Sequence, residues 1–190
     1  MLKNLFICFA ILLAPLAAAQ ETTLPNPQVV IKTSEGDITL RLFRDKAPLT
    51  VDNFLAYVDA GFYNGTIFHR VIPDFMIQGG GLLPDMTEKA TNDPVPNESK
   101  NRLHNTRGTI AMARTSDPDS AKAQFFINQR NNLSLDWAPG RDGYTVFGEV
   151  ILGMNIVDFI ATAPTGKVGM LGDVPLQPIV INEIVRAKAL

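Results

Sequence analysis

One stretch, Tyr63 to Gly81, limits what this chain can fold into more than any other. Thr66 to Val71 is rich in β-branched and aromatic residues, and Pro73-Asp74 marks a turn. Phe75 to Gln78 reads as a second strand, followed by three glycines, Gly79, Gly80 and Gly81. Such a unit must lay an apolar face on a core, yet it carries the polar pair His69-Arg70 in mid-strand. Strict alternation puts Phe68 and Arg70 on one face, and Met76 and Gln78 together on a face of the next strand. An arginine, a glutamine, a methionine and phenylalanines are then expected to converge on one concave site. That set can hold an apolar ring and donate hydrogen bonds to the amide beside it. It contains no nucleophile paired with a base.

The rest of the chain reads as short strands with two helices. Gln28 to Lys32 and Asp37 to Phe43 are strand patterns joined by the hairpin signal Ser34-Glu35-Gly36. Pro48 opens a helix and Gly61 closes it, with Val51, Phe54, Leu55 and Val58 on one stripe. Residues 81 to 107 form a long polar connection, a length usually reserved for functional or mobile loops. Strands are expected at Thr109 to Ala113, Gln124 to Asn128, Tyr144 to Val150 and Ile179 to Arg186. A second helix follows Gly153, with Ile156, Val157 and Ile160 apolar, and Ala163 to Pro178 reads as a loop. Many short strands with two helices imply an antiparallel barrel or sandwich with helical plugs.

The 190 residues suffice for one domain with a real core, and the net charge of −2 with no basic patch disfavours nucleic acid as a partner. Lys3, the apolar run Leu5 to Leu13 and Ala17-Ala18-Ala19 read as a secretory signal peptide over residues 1–19, with cleavage after Ala19. A retained membrane anchor fits less well, because the apolar run is short and Pro15 interrupts it. Cys8 is the only cysteine and lies in this leader, so the mature chain can form no disulfide. Residues 20–27 read as an extended lead-in and 28–190 as the domain.

Four motifs resemble the cyclophilin family of peptidyl-prolyl cis-trans isomerases: the opening stretch, Gly108 to Thr115, Ala123 to Asn128, and Tyr144 to Val150. They occur in family order and span roughly residues 28 to 187; the Ala113-Arg114-Thr115 form with its acidic insertion is similar to the bacterial periplasmic branch. The resemblance implies a mainly β fold, a closed eight-stranded antiparallel β-barrel capped by two α-helices. It implies catalysis of X-Pro rotation without cofactor, metal or nucleotide. The implied partners are proline-containing segments of unfolded or folding proteins, bound by a monomer with no stable membrane insertion after signal cleavage, in the periplasm.

By the same resemblance Arg70 matches the catalytic arginine. Phe75, Met76, Phe126 and Leu135 match the proline pocket. Gln78 and Gln124 are expected to hold the substrate backbone and orient Arg70. Ala113, Arg114 and Thr115 match the strand edge that binds the residues before proline through the main chain. His69 and Tyr144 complete the substrate-binding set, His69 in a packed, hydrogen-bonded supporting role.

Plainer readings compete. Phe125 is expected to be core, since alternation sends one of Phe125 and Phe126 inward. His104 reads as solvated, two distant histidines make no metal site, and Ser120 and Ser134 lack a His/Asp arrangement. Gly79 to Gly81 lacks the Lys-Ser/Thr of a phosphate loop and reads as tight turning. Two positions depart from the family pattern: Ser134 stands where many members have tryptophan, and Tyr144 where many have histidine. The first change removes an aromatic wall associated with cyclosporin binding. The rival to an isomerase is a binding module or holdase with little turnover; Arg70 separates them, because binding alone requires no donor at the prolyl nitrogen.

Overall fold

The computed structural model describes residues 26–187. The expected leader at residues 1–19 and the lead-in up to residue 25 lie outside them.

Two alternating strands begin the fold. β1 (Gln28–Thr33) buries Val29 and Ile31, and β2 (Gly36–Leu42) buries Ile38, Leu40 and Leu42, so period-two hydrophobicity becomes one inward face. They are joined by the two-residue turn Ser34-Glu35, since Thr33 already pairs with Gly36. Helix α1 (Pro48–Asp59) starts on its proline and ends before Gly61, whose φ is +63°. Its stripe Val51, Phe54, Leu55 and Val58 is buried as expected, with Tyr57 and Thr50 added.

β3 (Thr66–Ile72), β4 (Met76–Gly79), β5 (Thr109–Met112), β6 (Phe125–Asn128) and β7 (Val146–Leu152) follow, then α2 (Met154–Ala161). A hairpin of β8 (Thr165–Val168) and β9 (Leu171–Pro175) precedes the last strand, β10 (Val180–Arg186). Eight strands close into an antiparallel barrel in the order β1-β10-β3-β4-β6-β5-β7-β2, and β2 returns to β1. Closure gives each of the eight barrel strands two neighbours, so the barrel itself has no edge strand.

The interior is aromatic at its centre. Phe54 of α1 lies 5.2 Å from Phe147, 5.3 Å from Tyr63 and 5.8 Å from Phe125, ring centre to ring centre. All four rings are fully buried, and the one polar tip, the Tyr63 hydroxyl, donates to the Ala123 carbonyl at 2.9 Å. Val157, Ile160 and Ala161 of α2 pack on the same core. Ile156 is only partly buried, so the face of α2 is narrower than its sequence pattern suggests.

The segment 163–178, expected as a loop, contains the β8–β9 hairpin, with Val168 paired to Leu171 and Gly169 in the left-handed region at φ +59°. Most of its side chains are exposed, so no inward-facing alternation marks its strands. β9 packs beside β3 and thereby beside Arg70.

Candidate active site

A cavity of about 160 Å³ is lined by Arg70, Phe75, Met76, Gln78, Ala113, Arg114, Phe126, Leu135 and Tyr144. Every one of these is a residue expected from the sequence. The remaining three lie in adjoining space: Thr115 and Gln124 line a neighbouring cavity of about 380 Å³, and His69 and Gln124 another of about 480 Å³. Gln78 borders all three.

Strand alternation builds the floor. On β6, Phe125 enters the barrel core while Phe126 turns the other way onto Met76, Ala111 and Val146. Phe75, Leu135, Ala113 and Tyr144 pack around this second cluster, with the Tyr144 ring edge-on to Phe126 at 5.6 Å. The division between Phe125 and Phe126 is the one expected.

Arg70 reaches the site by a different route. Phe68 pairs with Gly79 and Arg70 with Gln78, so two steps on β3 oppose one on β4: a β-bulge at His69. The bulge reverses the alternation. Phe68 is buried in the barrel core against Phe125, and Arg70 faces the cavity. The expectation that Phe68 and Arg70 share a face is therefore overturned; a sequence read at strict period two carries no mark of the extra residue.

The surroundings of Arg70 also differ from expectation. Gln78 donates to the Gln124 side chain at 3.1 Å, and neither glutamine hydrogen-bonds Arg70. What stands beside the guanidinium is Asp173 of β9, with Nε to Oδ2 at 3.8 Å. Asp173 has a left-handed backbone, φ +58°, which aspartate tolerates better than most residues. Sequence reasoning missed it because the whole hairpin read as loop.

The edge formed by Ala113, Arg114 and Thr115 is only partly open. The Ala113 N–H donates to the Gln124 carbonyl at 2.9 Å. The Thr115 N–H donates to the Ser120 hydroxyl at 3.0 Å, and its carbonyl accepts from Arg114 Nη1 at 2.9 Å. The main-chain N–H and carbonyl of Arg114 have no partner among the described residues. The edge thus offers one antiparallel pairing position, not three. The Arg114 side chain folds over Tyr144, 4.5 Å from its ring centre, and donates to the Asp142 carbonyl at 2.8 Å.

Beneath the cavity runs a polar network that the sequence did not suggest. Asn128, fully buried, donates to Thr109 Oγ1 at 2.9 Å and to Asn105 Oδ1 at 3.2 Å, and accepts from Asn132 at 2.8 Å. Asn132 also donates to the Phe75 carbonyl at 2.8 Å, and Asn105 donates through main chain and side chain to Asp136. Desolvation pushes the Asp136 carboxyl up, but bonds from Asn105 and His104 outweigh it and hold the group below the usual carboxylate range. His104 is largely exposed, yet its Nδ1 lies 2.7 Å from Asp136 Oδ2, so it is tethered as well as solvated. Asp136 adjoins Leu135, so the network holds Phe75 and Leu135, two walls of the cavity. Asn128→Ala is expected to cost about 2–4 kcal/mol in denaturant unfolding, because it leaves buried amides unpaired.

His69 is 6 % exposed, and its Nδ1 has no hydrogen-bond partner. The expected hydrogen-bonded support role thus falls to the rest of the ring, through a backbone hydrogen bond with Ile67 that partly opposes the effect of burial on its pKa. Burial, with the neighbouring Arg70 charge adding to it, pulls the imidazole pKa down to about 4. His69 is thus neutral at ordinary pH. Its folded pKa lies below the reference value of about 6.5, so the unfolded chain binds the proton first as pH falls. Stability is expected to fall by at most about 3 kcal/mol between pH 6.5 and 4, and His69→Gln is expected to flatten that slope in pH-dependent melting curves.

The three glycines serve close packing as much as turning. A Cβ on Gly79 would meet the Ile67 carbonyl at 2.7 Å, and one on Gly81 would meet the Gln124 side chain at 2.5 Å. Only Gly80, at φ +83°, needs a glycine conformation.

Comparison with known proteins agrees with this geometry. The family profile for cyclophilin-type peptidyl-prolyl cis-trans isomerases matches residues 28–186. A peptidyl-prolyl cis-trans isomerase of Acinetobacter baylyi is 55% identical over 161 residues, covering 85% of this chain and 86% of that protein. Peptidyl-prolyl cis-trans isomerase B of Escherichia coli is 53% identical over 160 residues, covering 82% and 97%. Among solved structures, a cyclophilin-type isomerase of Cryptosporidium parvum, crystallised in the presence of the dipeptide Ala-Pro, superposes with a TM-score of 0.74 at 31% identity, covering 85% of this chain and 99% of that one. The closed barrel, the cavity behind Arg70 and these matches together make the chain a member of the cyclophilin-type peptidyl-prolyl cis-trans isomerase family.

Proposed function

We propose that the chain accelerates rotation about X-Pro bonds in exported or folding proteins, with Arg70 as donor to the prolyl nitrogen. The observation that carries this reading is the Arg70 guanidinium beside a small cavity floored by Phe75, Met76, Phe126 and Leu135. Rotation is slow because it breaks amide conjugation, a barrier of about 18–20 kcal/mol. At the twisted transition state the prolyl nitrogen regains a localised lone pair. A donor aimed at it binds that state better than the planar ground state, and only such differential binding accelerates the step.

Each residue then has a task. The proline ring rests on Phe75, Met76, Phe126 and Leu135, with Tyr144 closing the side. The free N–H and carbonyl of Arg114 pair with the main chain before the proline. Gln78 and Gln124, joined to each other, offer their remaining amide groups to the substrate backbone. Arg70 stays charged at any working pH, so no proton needs to move. A protease-coupled assay on a short X-Pro peptide tests this reading; a protein that binds the peptide without speeding exchange would be the holdase instead.

The same chemistry sets the pH profile. With Arg70 permanently charged and His69 neutral, kcat/KM is expected to stay nearly flat from about pH 6 to 8.5. A tenfold fall through about pH 6.5, with the protein folded, would instead make His69 a base.

Export to the periplasm is part of the proposal and rests on Lys3, the Leu5 to Leu13 run and Ala17-Ala18-Ala19. Mass spectrometry of the exported protein is expected to give Gln20 as its first residue, and an intact Met1 would contradict it. A barrel without a sheet edge supports a monomer.

A further inference from the structure

Beyond Arg70 the proline cavity adjoins a larger one of about 480 Å³, and the two share Arg70 and Gln78. Leu82, Met86 and Glu88 line it from the loop after β4, and Leu171 and Asp173 from the hairpin. Buried His69 also borders it. Its walls thus combine apolar side chains with two carboxylates.

The charge in this space is unbalanced. Glu88 has no ion-pair partner among the described residues, and Asp173 meets Arg70 only at 3.8 Å. The adjacent Lys89 is turned away, its ammonium on the Phe62 carbonyl and ring. Neutral His69 adds no compensating charge. Two carboxylates therefore face one cation, over a floor of thioether and leucine side chains. A lysine or arginine side chain, with an apolar stem and a cationic head, matches both features at once.

We propose that this cavity is a specificity subsite for a lysine or arginine one or two residues after the proline, its stem on Met86 and Leu171 and its charge at Glu88 and Asp173. The position rests on the proline-site reading above. Arg114, which pairs with residues before the proline, borders the proline cavity but not this one, and Arg70 borders both. A chain entering over Arg114 leaves past Arg70 toward the hairpin.

The test compares exchange rates of X-Pro peptides carrying lysine, norleucine or glutamate at each of the two positions after the proline, with lysine before it as control. Norleucine keeps the stem and removes the charge, so each protein supplies its own reference. Lysine is expected to exceed norleucine by about three- to tenfold in kcat/KM at low salt, and glutamate to fall below it. The preference is expected to fade at roughly 0.5 M salt and in the Glu88→Gln, Asp173→Asn double variant, since asparagine also tolerates the left-handed backbone at that position. Equal rates for lysine and norleucine, a lysine preference that survives the double variant, or a preference only before the proline would each overturn the subsite. Failure of the wild-type protein to turn over any of the peptides would refute the proline-site reading itself, and the subsite with it.

Discussion

Arg70→Ala is expected to lower kcat/KM on an X-Pro peptide by at least about two orders of magnitude while leaving the fold intact. A factor of one hundred corresponds to about 2.7 kcal/mol of transition-state stabilisation, the size lost when one oriented donor is removed from a preorganised site. The Arg70 side chain is 41% exposed, and its one ion pair among the described residues, with Asp173, is long, so little folding energy depends on it. Loss of activity with unchanged melting would therefore locate the defect in the chemistry. Arg70→Lys sharpens the test. It keeps the charge but replaces the planar fork of donors with a mobile ammonium, and partial recovery of rate is expected. Near-wild-type turnover in folded Arg70→Ala would move catalysis to another residue.

The second large effect concerns cyclosporin. Ser134 occupies the position where the resemblance to the family leads one to expect a tryptophan wall. It is exposed in the short 3-10 turn Leu133–Leu135, whose last residue lines the proline cavity. Trp137, like Ser134, is not among the residues lining the cavity, and its exposed ring lies 6.0 Å from the Lys100 ammonium. Losing one large aromatic contact at an interface hot spot costs a few kcal/mol, so binding is expected to be roughly a hundredfold weaker than in members with that tryptophan. A proline ring is smaller and, in the proposed site, needs only Phe75, Met76, Phe126 and Leu135, so catalysis is expected to persist. Calorimetric titration of the native protein and Ser134→Trp should show much of the difference recovered in the variant. Tight binding by the native protein would mean that another loop residue supplies the wall.

Alternation made the site legible only on regular strand, while Arg70, Phe75, Arg114, Leu135 and Tyr144, which lie off regular strand, were legible through the resemblance of their motifs. β6 is uninterrupted, so alternation alone separates core Phe125 from cavity Phe126. β3 contains a bulge, and period-two reasoning through Phe68 and Arg70 fails there because one inserted residue changes the face without changing composition. The β8–β9 hairpin was hidden for another reason. Its strands hold glycine and proline, and most of their side chains face solvent, so burial imposes no pattern on them. Asp173 and the second cavity were lost with it. The network around Asn128, at the end of β6, was invisible because its partners Asn105 and Asn132 fall in loop-like sequence, where asparagines usually face water; here they brace Phe75 and Leu135.

The central claim is that this cavity speeds X-Pro rotation, and nuclear magnetic resonance exchange on a short Ala-Pro peptide measures that directly, without a coupling protease. Uncatalysed exchange takes roughly tens to hundreds of seconds and leaves separate cis and trans signals. With a catalytic amount of the mature protein, cis–trans exchange cross-peaks and line broadening are predicted, and both are predicted to vanish with Arg70→Ala. Peptide binding seen as shifted signals, with cis–trans exchange as slow as in buffer, would contradict the account.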